Sequence, residues 1–188
     1  MESKGCLEGF QRISVVGTSG SGKTTMARRL AERLGFEHVE LDSLHWGPDW
    51  TPTPRELFRE RVAEALGGRT WTTDGNYSSV RDIVWNRADT VVWLDYSLDV
   101  VMGRVIQRTI RRSALREELW NGNRESIGTS FLSRDSIILW AFNSYRRRKR
   151  EYPVLFAQPE HAHLRVVRLK SPRGAEEWFH SLPERHRP

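Results

Sequence analysis

Cysteine is nearly absent from this chain of 188 residues, since Cys6 is the only one. A single cysteine excludes an internal disulfide and a zinc site built from several cysteines. No apolar run approaches the ~20 residues of a membrane-spanning helix, and the N-terminal residues lack the apolar stretch of a secretory signal peptide. These absences predict a protein of the cytoplasm that does not engage a membrane.

Lysine is also scarce, with four residues against 26 arginines, and the formal net charge is +6. The charge is uneven, because residues 104–150 hold 12 Lys and Arg but four acids, a net of +8, which leaves −2 for the rest. Such a segment indicates a polyanionic partner, either nucleic acid or a small polyanionic ligand. The composition leaves this choice open, together with the choice between monomer and dimer.

A phosphate-binding loop follows the apolar run that ends at Val16, because residues 17–24 read Gly-Thr-Ser-Gly-Ser-Gly-Lys-Thr. This G-x-x-x-x-G-K-[ST] pattern wraps backbone N–H groups around a di- or triphosphate. Lys23 would reach the β and γ oxygens, and the Thr24 hydroxyl would ligate Mg²⁺. The predicted nucleotide-binding residues of this region are Gly17, Thr18, Ser19, Gly20, Ser21, Gly22, Lys23, Thr24 and Thr25.

Five strand candidates alternate with helical stretches along the chain. The strands are predicted at Arg12–Val16, His38–Leu41, Thr70–Thr73, Thr90–Leu94 and Leu164–Leu169. Helices are predicted over Thr24–Leu34, from a capping box at Thr53–Glu56 to about Leu66, over Ser97 to about Arg116, over Ser133 to about Arg150, and over Glu176–Ser181. This alternation predicts an α/β fold with a parallel sheet covered on both faces, in which Trp71 and Trp93 belong to the core.

Three carboxylates follow predicted strands, where ligands of parallel sheets bind. On pattern alone Asp95 is the best candidate to hold Mg²⁺, since it follows four apolar residues in the Walker B manner. Asp74 stands before Gly75 and is the second candidate. Asp42, with His45 nearby, would hold an acceptor or assist its deprotonation.

Two further groups of side chains extend the candidate site. Arg104, Arg108 and Arg112 share one helix face, with Arg111 beside it, and a polyphosphate facing them would balance their charge. Trp46 and Trp50 lie in a Pro/Gly-containing loop and would stack on a planar substrate.

These segments together resemble the adenylate-kinase-like P-loop kinases. The phosphate loop, Leu41-Asp42-x-Leu44-x-Trp46, Trp71-x-x-Asp74-Gly75-Asn76-Tyr77, Val92-Trp93-Leu94-Asp95 and the arginine helix carry the resemblance, from about Arg12 to Arg173. More narrowly, the chain is similar to the bacterial group known as DNA topology modulation proteins or adenylate-kinase-related kinases. The resemblance implies a three-layer P-loop fold, with a five-stranded parallel sheet of order 2-3-1-4-5 and a helical lid insertion.

The resemblance also implies roles for individual residues. It moves the Mg²⁺ prediction from Asp95 to Asp74, together with Thr24, and makes Asp95 mainly structural. Phosphate-clamping arginines correspond to Arg104 and Arg108, and arginines after the lid to Arg134 and one of Arg146–Arg148. The stretch Lys170–Arg173 would border the adenine.

The chain departs from this resemblance after the third strand. Nucleoside monophosphate kinases read Asp-Gly-Phe-Pro-Arg where this chain reads Asp-Gly-Asn-Tyr-Ser, although Arg81 lies close by. The expected acceptor site therefore combines residues from two loops, namely Asp42, His45, Trp46, Asn76, Tyr77 and Arg81.

The sequence as a whole predicts one P-loop kinase domain over residues 1–188, with a core at about 10–103 and 151–188 and a lid at about 104–150. The expected activity is ATP- and Mg²⁺-dependent phosphoryl transfer to a small acceptor, with Lys23, Asp74, Arg104, Arg108 and Arg134 as catalytic residues. Two alternatives remain open, namely a nucleotide-gated nucleic-acid-binding protein and an NTPase that needs no acceptor.

Overall fold

A computed structural model describes residues 10–115, 120–123 and 137–184. Five parallel strands form one sheet in the order β2-β3-β1-β4-β5, as predicted. The strands are β1 (Arg12–Gly17), β2 (Glu37–Glu40), β3 (Trp71–Asp74), β4 (Thr90–Leu94) and β5 (Arg165–Leu169). The helices are α1 (Lys23–Leu34), α2 (Leu41–His45), α3 (Arg55–Ala65), α4 (Arg81–Arg87), α5 (Leu98–Leu115), α6 (Ile137–Phe156) and α7 (Pro172–Ser181).

The sheet separates two apolar cores, and this gives the molecule three layers. On one face, Ile13 and Val92 pack with residues of α1, α5 and α7. On the other face, Trp71 and Trp93 pack with residues of α3, α4 and α6. Both tryptophans are buried, which confirms their prediction as core residues. Strands buried on both faces explain the continuous apolar runs of β1 and β4 in the sequence.

The local sequence of helix α1 determines which of its faces packs on the sheet and where the helix ends. Its buried residues recur at helical spacing and form one apolar stripe against the sheet: Met26, Ala27, Leu30, Ala31 and Leu34. The helix ends at Gly35, which has φ 68° and whose N–H donates to the Ala31 carbonyl. The first core is therefore fixed to the helix that begins directly after the phosphate loop.

The capping box predicted at Thr53–Glu56 is absent from the structure. Pro54 occupies the N-cap of α3 with no side-chain cap, and the Thr53 hydroxyl instead donates to the Leu44 carbonyl over 3.1 Å. This hydrogen bond connects the segment before α3 to helix α2. Leu41, predicted as the end of β2, is in fact the first residue of α2.

Helix α6 continues past Pro153 to Phe156, whereas the sequence predicted an end before this proline. A proline inside a helix costs about 3 kcal/mol, since it lacks an N–H and its ring crowds the preceding turn. Here the Pro153 ring is exposed, while Tyr152 and Phe156 pack against Trp93 on the sheet. We attribute the continuation to this aromatic packing. Helix α7 also begins earlier than predicted, at Pro172, because Ser171 caps it by accepting from the Gly174 N–H over 3.1 Å.

The two outer strands of the sheet are β2 and β5. On β5, the guanidinium of Arg165 lies 4.8 Å from the ring centre of Phe10, and that of Arg168 lies 4.5 Å from the ring centre of Trp93. No helix in the described ranges is long and apolar enough to span a membrane.

Candidate active site

The phosphate loop connects β1 to α1 and depends on three glycines with positive φ. Gly17, Gly20 and Gly22 have φ values of 152°, 81° and 92°. A Cβ on Gly17 would lie 2.8 Å from the Leu94 carbonyl oxygen, and one on Gly20 would collide with Cγ2 of Val105. The loop is therefore pressed against β4 and α5, and only glycine allows this approach.

A cavity of about 540 Å³ opens beside this loop. Its walls come from the loop and α1, from β4 and α5, and from the start of α7, and they include Gly20, Ser21, Gly22, Lys23, Thr24, Thr25, Tyr96, Arg104, Gln107, Arg108, Arg111 and Pro172. Arg104 Nη1 donates to the Ser21 carbonyl over 3.0 Å, and Arg108 Nη2 donates to Ser19 Oγ over 3.4 Å. Arg104 and Arg108 on α5 thus contact the phosphate loop.

Thr24, Asp74 and His38 form a chain of hydrogen bonds at the ends of three elements. The Thr24 hydroxyl donates to Asp74 Oδ2 over 2.6 Å, and His38 Nε2 lies 2.9 Å from Asp74 Oδ1. Asp74 is 2% exposed and belongs to β3 itself, which ends one residue later than predicted. A hydroxyl and a carboxylate supply the oxygen donors that Mg²⁺ prefers, so Thr24 and Asp74 fit this ion.

Lys23 lies among charges of both signs that come from four other elements or loops. Its Nζ donates to the Thr18 carbonyl over 3.2 Å. Burial, together with the charges of Arg148 and Arg108, lowers the pKa of Lys23 to about 8, against the opposing effect of Asp74 and Asp42. An anion at this position would relieve the crowding of positive charge, as expected for a lysine that meets phosphate oxygens.

Asp42, His45 and Tyr77 form a corner beyond β2. The Tyr77 hydroxyl donates to Asp42 Oδ1 over 2.6 Å, and burial, with Asp42 next, raises the pKa of that hydroxyl. The His45 ring packs between Phe58 and Tyr77, with centroid distances of 4.8 Å and 4.5 Å, and burial lowers the pKa of its imidazole. Asp42 is the polar group that this corner orients, and His45 is packed among rings.

The loop after α2 carries Trp46 and Trp50, whose rings meet edge to face at 5.7 Å. Residues 121–123 dock on this loop. Asn123 accepts from the Trp50 N–H over 2.8 Å and donates to the Gly47 carbonyl over 2.9 Å. The Asn121 amide also donates to the Trp46 carbonyl. A piece of the predicted lid therefore contacts the predicted acceptor loop.

Asn76 bonds to the phosphate loop itself. Its Nδ2 donates to the Gly17 carbonyl over 2.6 Å, and its Oδ1 accepts from the Gly17 N–H over 3.3 Å and from the Tyr152 hydroxyl over 2.8 Å. One amide thereby joins the end of β3, the start of the loop and helix α6. The role of Asn76 in binding the acceptor, which the sequence suggested, stays a prediction.

Asp95 and Asp74 contact different kinds of side chain in the structure. Both carboxylate oxygens of Asp95 meet cations, with Lys149 Nζ at 3.1 Å and Arg168 Nη2 at 2.6 Å. This pairing ties β4 to α6 and β5. Asp74, by contrast, accepts from the Thr24 hydroxyl beside the phosphate loop.

Three predicted arginines lie apart from the loop cavity or outside the described ranges. Arg173 is 89% exposed at its side chain and pairs with Glu177 at 2.8 Å. Arg81 lies 5.4 Å from the Trp85 ring centre and lines a second cavity. Arg134 lies outside the described residues.

Sequence reasoning missed two residues that the structure brings to the site, His38 and Tyr152, and did not choose Arg148 among three neighbouring arginines. His38 contacts Asp74, Tyr152 contacts Asn76, and Arg148 donates to Tyr152 over 3.0 Å from Nη1. His38 could have been found, because the expected sheet order makes β2 the neighbour of β3, and His38 is a polar residue on β2. Arg148 was only one of three adjacent candidates in a run of five cations, and Tyr152 lay beyond the predicted helix end.

The sheet order and the glycine-lined loop at the end of β1 together define the P-loop class of nucleotide-binding folds, in its kinase-like form. A family profile described as "AAA domain" matches residues 13–173, and the chain therefore belongs to that family.

Curated relatives of the chain are kinases by name. It is 32% identical over 114 residues to a putative adenylate kinase of Thermococcus kodakarensis, covering 57% of this chain and 62% of that protein. It is 31% identical over 113 residues to a shikimate kinase of Gloeobacter violaceus, covering 50% and 60%. A probable gluconokinase of Schizosaccharomyces pombe is 61% identical over 31 residues, or 16% of each chain. The chain thus spans less than two thirds of the length of these relatives.

Solved structures share the fold at low identity. A shikimate kinase from Acinetobacter baumannii in complex with shikimate aligns with a TM-score of 0.54 at 18% identity, covering 93% of this chain and 91% of the other. An unliganded sugar kinase from Janibacter aligns with a TM-score of 0.51 at 22% identity, covering 91% and 93%. These likenesses support the three-layer architecture.

Proposed function

We propose that the protein transfers the γ-phosphoryl group of ATP to a small acceptor, with Mg²⁺ as cofactor. One observation carries the proposal, namely that Thr24, directly after the glycine-lined loop and Lys23, donates to Asp74 over 2.6 Å, while Arg104 and Arg108 contact the same loop. An acid from the end of β3 and cations from a long helix therefore converge on the loop whose lysine would reach the γ-phosphate. Phosphoryl transfer needs such a convergence, since its transition state spreads negative charge over several oxygens.

The nucleotide side of the site consists of the loop and α5. The loop amides and Lys23 would bind the phosphates, and Arg104 and Arg108 would balance their charge. Ser21 Oγ is buried and has no hydrogen-bond partner among the described residues, which fits a cradle whose remaining partner is a ligand. Bound Mg²⁺ would neutralise phosphate oxygens, and Thr24 and Asp74 would hold it.

The acceptor side lies toward Asp42. In the proposed reaction an acceptor oxygen forms a bond to the γ-phosphorus, the bond from that phosphorus to the bridging oxygen breaks, and ADP leaves with the electron pair. The acceptor proton passes to Asp42, whose Oδ1 is already fixed by Tyr77. We propose residues 104–150 as a lid, and the contact of residues 121–123 with the Trp46–Trp50 loop supports closure over this side.

The test is ADP release measured over a panel of nucleosides, nucleotides, sugar acids and small alcohols, including adenylate, gluconate and shikimate from the names of the relatives. We expect turnover to rise sharply with one class of acceptor. The Lys23→Ala variant serves as the inactive control for background ADP release, because it lacks the cation that would contact the transferred phosphoryl group.

Two rival functions make different predictions in the same assay. The net charge of +8 over residues 104–150 favours a nucleotide-gated nucleic-acid-binding protein, whose binding should weaken steeply between low and physiological salt. An acceptor-independent NTPase would release ADP at one rate across the whole panel. Membership of the DNA topology modulation group and a cytoplasmic location remain predictions.

A further inference from the structure

A second cavity of about 490 Å³ lies between the segment after β3 and helix α6. The first wall contributes Asn76, Ser78 and Arg81, and the second contributes Arg147, Arg148, Arg150, Glu151, Val154 and Leu155. This cavity shares no lining residue with the cavity that contains the phosphate loop. The residues proposed to bind the nucleotide therefore do not line this second cavity.

Arg148 is the central cation of this cavity. Its side chain is only 6% exposed, and its Nη1 donates to the neutral Tyr152 hydroxyl over 3.0 Å. Its Nε is buried without a hydrogen-bond partner, and within the described ranges no carboxylate forms an ion pair with it. Burying a guanidinium without a counter-charge costs several kcal/mol, so the protein stands to gain from an anion here.

Among the described residues, the surroundings of Arg148 do not supply that anion. Arg81, Arg147 and Arg150 add three more cations to the same walls, against the single carboxylate of Glu151. Glu151 lies 3.9 Å from Arg147 Nε, and both side chains are more than 40% exposed, so their ion pair is weak. The cavity consequently has an excess of positive charge and a set of donors suited to a carboxylate or a phosphate.

The cavity is connected to the point of phosphoryl transfer. The Tyr152 hydroxyl accepts from Arg148 and donates to Asn76. Asn76 in turn holds both the N–H and the carbonyl of Gly17. A ligand on Arg148 would thus lie beside the reacting end of the loop, on the side of β3 and α6.

We propose that this cavity binds an anionic group of the acceptor, a carboxylate or a phosphate, with Arg148 as its anchor. The proposal rests on the proposed function, since it names the class of acceptor that the phosphotransferase would use. Arg81 and Arg147 complete the anion site, and Tyr152 positions Arg148. Neutral acceptors that lack such a group would leave the Arg148 charge uncompensated and would be rejected.

The binding test uses matched pairs of compounds that differ in one charged group. The loop is first saturated with a non-hydrolysable ATP analogue and Mg²⁺, so that anions cannot bind there. Gluconate is then compared with sorbitol, and AMP with adenosine, by isothermal titration calorimetry, with inorganic phosphate as a further probe. We expect heat from at least one anionic probe and none from its neutral counterpart. Equal binding of the two members of each pair, or no binding of any anion, would overturn the proposal.

Variants locate the binding in this cavity. Arg148→Met should lower the affinity for the anionic probe at least tenfold and should change the affinity for the ATP analogue by less than twofold. Arg146→Met is the matched control, because Arg146 lies on the same helix, stacks on Phe142 at 4.8 Å and does not line the cavity. Since Arg148 is buried, Arg81→Met provides a second variant with a half-exposed side chain, and it should also weaken the probe. Unchanged anion affinity in folded Arg148→Met and Arg81→Met proteins would contradict the assignment.

The outcome separates this inference from the proposed function. Anion binding that depends on Arg148, with no acceptor-stimulated ADP release, would support the cavity and refute the phosphotransferase. Acceptor-stimulated turnover with neutral compounds, unaffected by Arg148→Met, would support the phosphotransferase and refute the anionic acceptor.

Discussion

The Thr24 hydroxyl donates a hydrogen bond of 2.6 Å to Asp74 Oδ2, and this bond joins the first turn of α1 to the end of β3. His38 approaches the other oxygen of the same carboxylate at 2.9 Å. The acid is thus oriented from both sides before any ligand arrives. Partners that orient a metal-binding carboxylate typically change metal affinity by about 10- to 100-fold when they are removed.

His38→Ala should therefore raise the Mg²⁺ concentration for half-maximal turnover by about tenfold or more. Mn²⁺ binding in the presence of ADP, followed by electron paramagnetic resonance, provides a readout that is independent of turnover. His38→Gln retains a side-chain N–H donor and should recover most of the affinity. His163→Ala is the control, since His163 Nε2 lies 3.0 Å from the Trp85 carbonyl oxygen, on another part of the molecule from Asp74. Identical metal binding in all four proteins would remove His38 from the site.

Asp74 and Asp95 should respond differently to neutralisation. Asp95→Asn breaks the ion pairs with Lys149 and Arg168. Both partners are about 40% exposed, so we expect a loss of about 1–2 kcal/mol in unfolding free energy and unchanged Mg²⁺ dependence. Asp74→Asn should instead abolish Mg²⁺-dependent turnover. Urea unfolding and Mg²⁺ titration of the two variants check this, and a reversed pattern would identify Asp95 as the metal-facing acid.

Lys23→Ala should abolish turnover and weaken ATP binding while the fold remains intact. The reason is that Lys23 is the cation within the loop, where its ammonium donates to the Thr18 carbonyl and forms no ion pair with a carboxylate of the described residues. Calorimetry with ATP and circular dichroism measure the two effects. Arg28→Ala, on the exposed side of the same helix, should behave as the native protein does. Native turnover in the Lys23 variant would refute the location of the site.

Gly20→Ala should disrupt the loop without a direct change in charge. A φ of 81° disfavours alanine by roughly 1–2 kcal/mol, and the added methyl group would collide with Val105. ATP affinity should fall together with thermal stability. Gly103→Ala is the matched control, because it lies on an exposed turn of α5 with open space around it, and it should raise stability by about 1 kcal/mol.

His45 should make the stability of the protein depend on pH. Burial lowers the pKa of His45 below its usual value of about 6.5, so the unfolded chain binds the proton more readily than the folded one. The native protein should consequently lose stability as the pH falls below about 6.5. His45→Phe preserves the aromatic packing and should lose less stability between pH 7.5 and 5.5. Parallel stability curves for the two proteins in urea would contradict this prediction.

The sequence predicted the sheet well because its signals are local. Each strand is a short apolar run, and the phosphate loop needs glycines whose positions a pattern can specify. The capping box and the end at Pro153 were wrong because tertiary contacts changed the outcome. Thr53 found a partner in another segment, and the aromatic residues of α6 outweighed the cost of the proline.

The candidate site was less accessible to sequence reasoning. Asn76 was recognised as important, but its bonds to Gly17 depend on the pairing of β1 with β3. The partnership of His38 with Asp74 likewise requires knowledge of which strands are neighbours. Arg148 could not be selected within its basic run, because burial of one guanidinium among five cations is a property of the packed helix.

The positive side chain of Arg165 on β5 has a consequence for the protein in concentrated solution. Arg165 lies on the outer strand β5 with its guanidinium against the Phe10 ring, whereas the charge of Arg168 is paired with Asp95. Like charges that meet at the border of a sheet repel each other. Two copies approaching through this border would be pushed apart, so the chain carries its own protection against sheet-to-sheet aggregation.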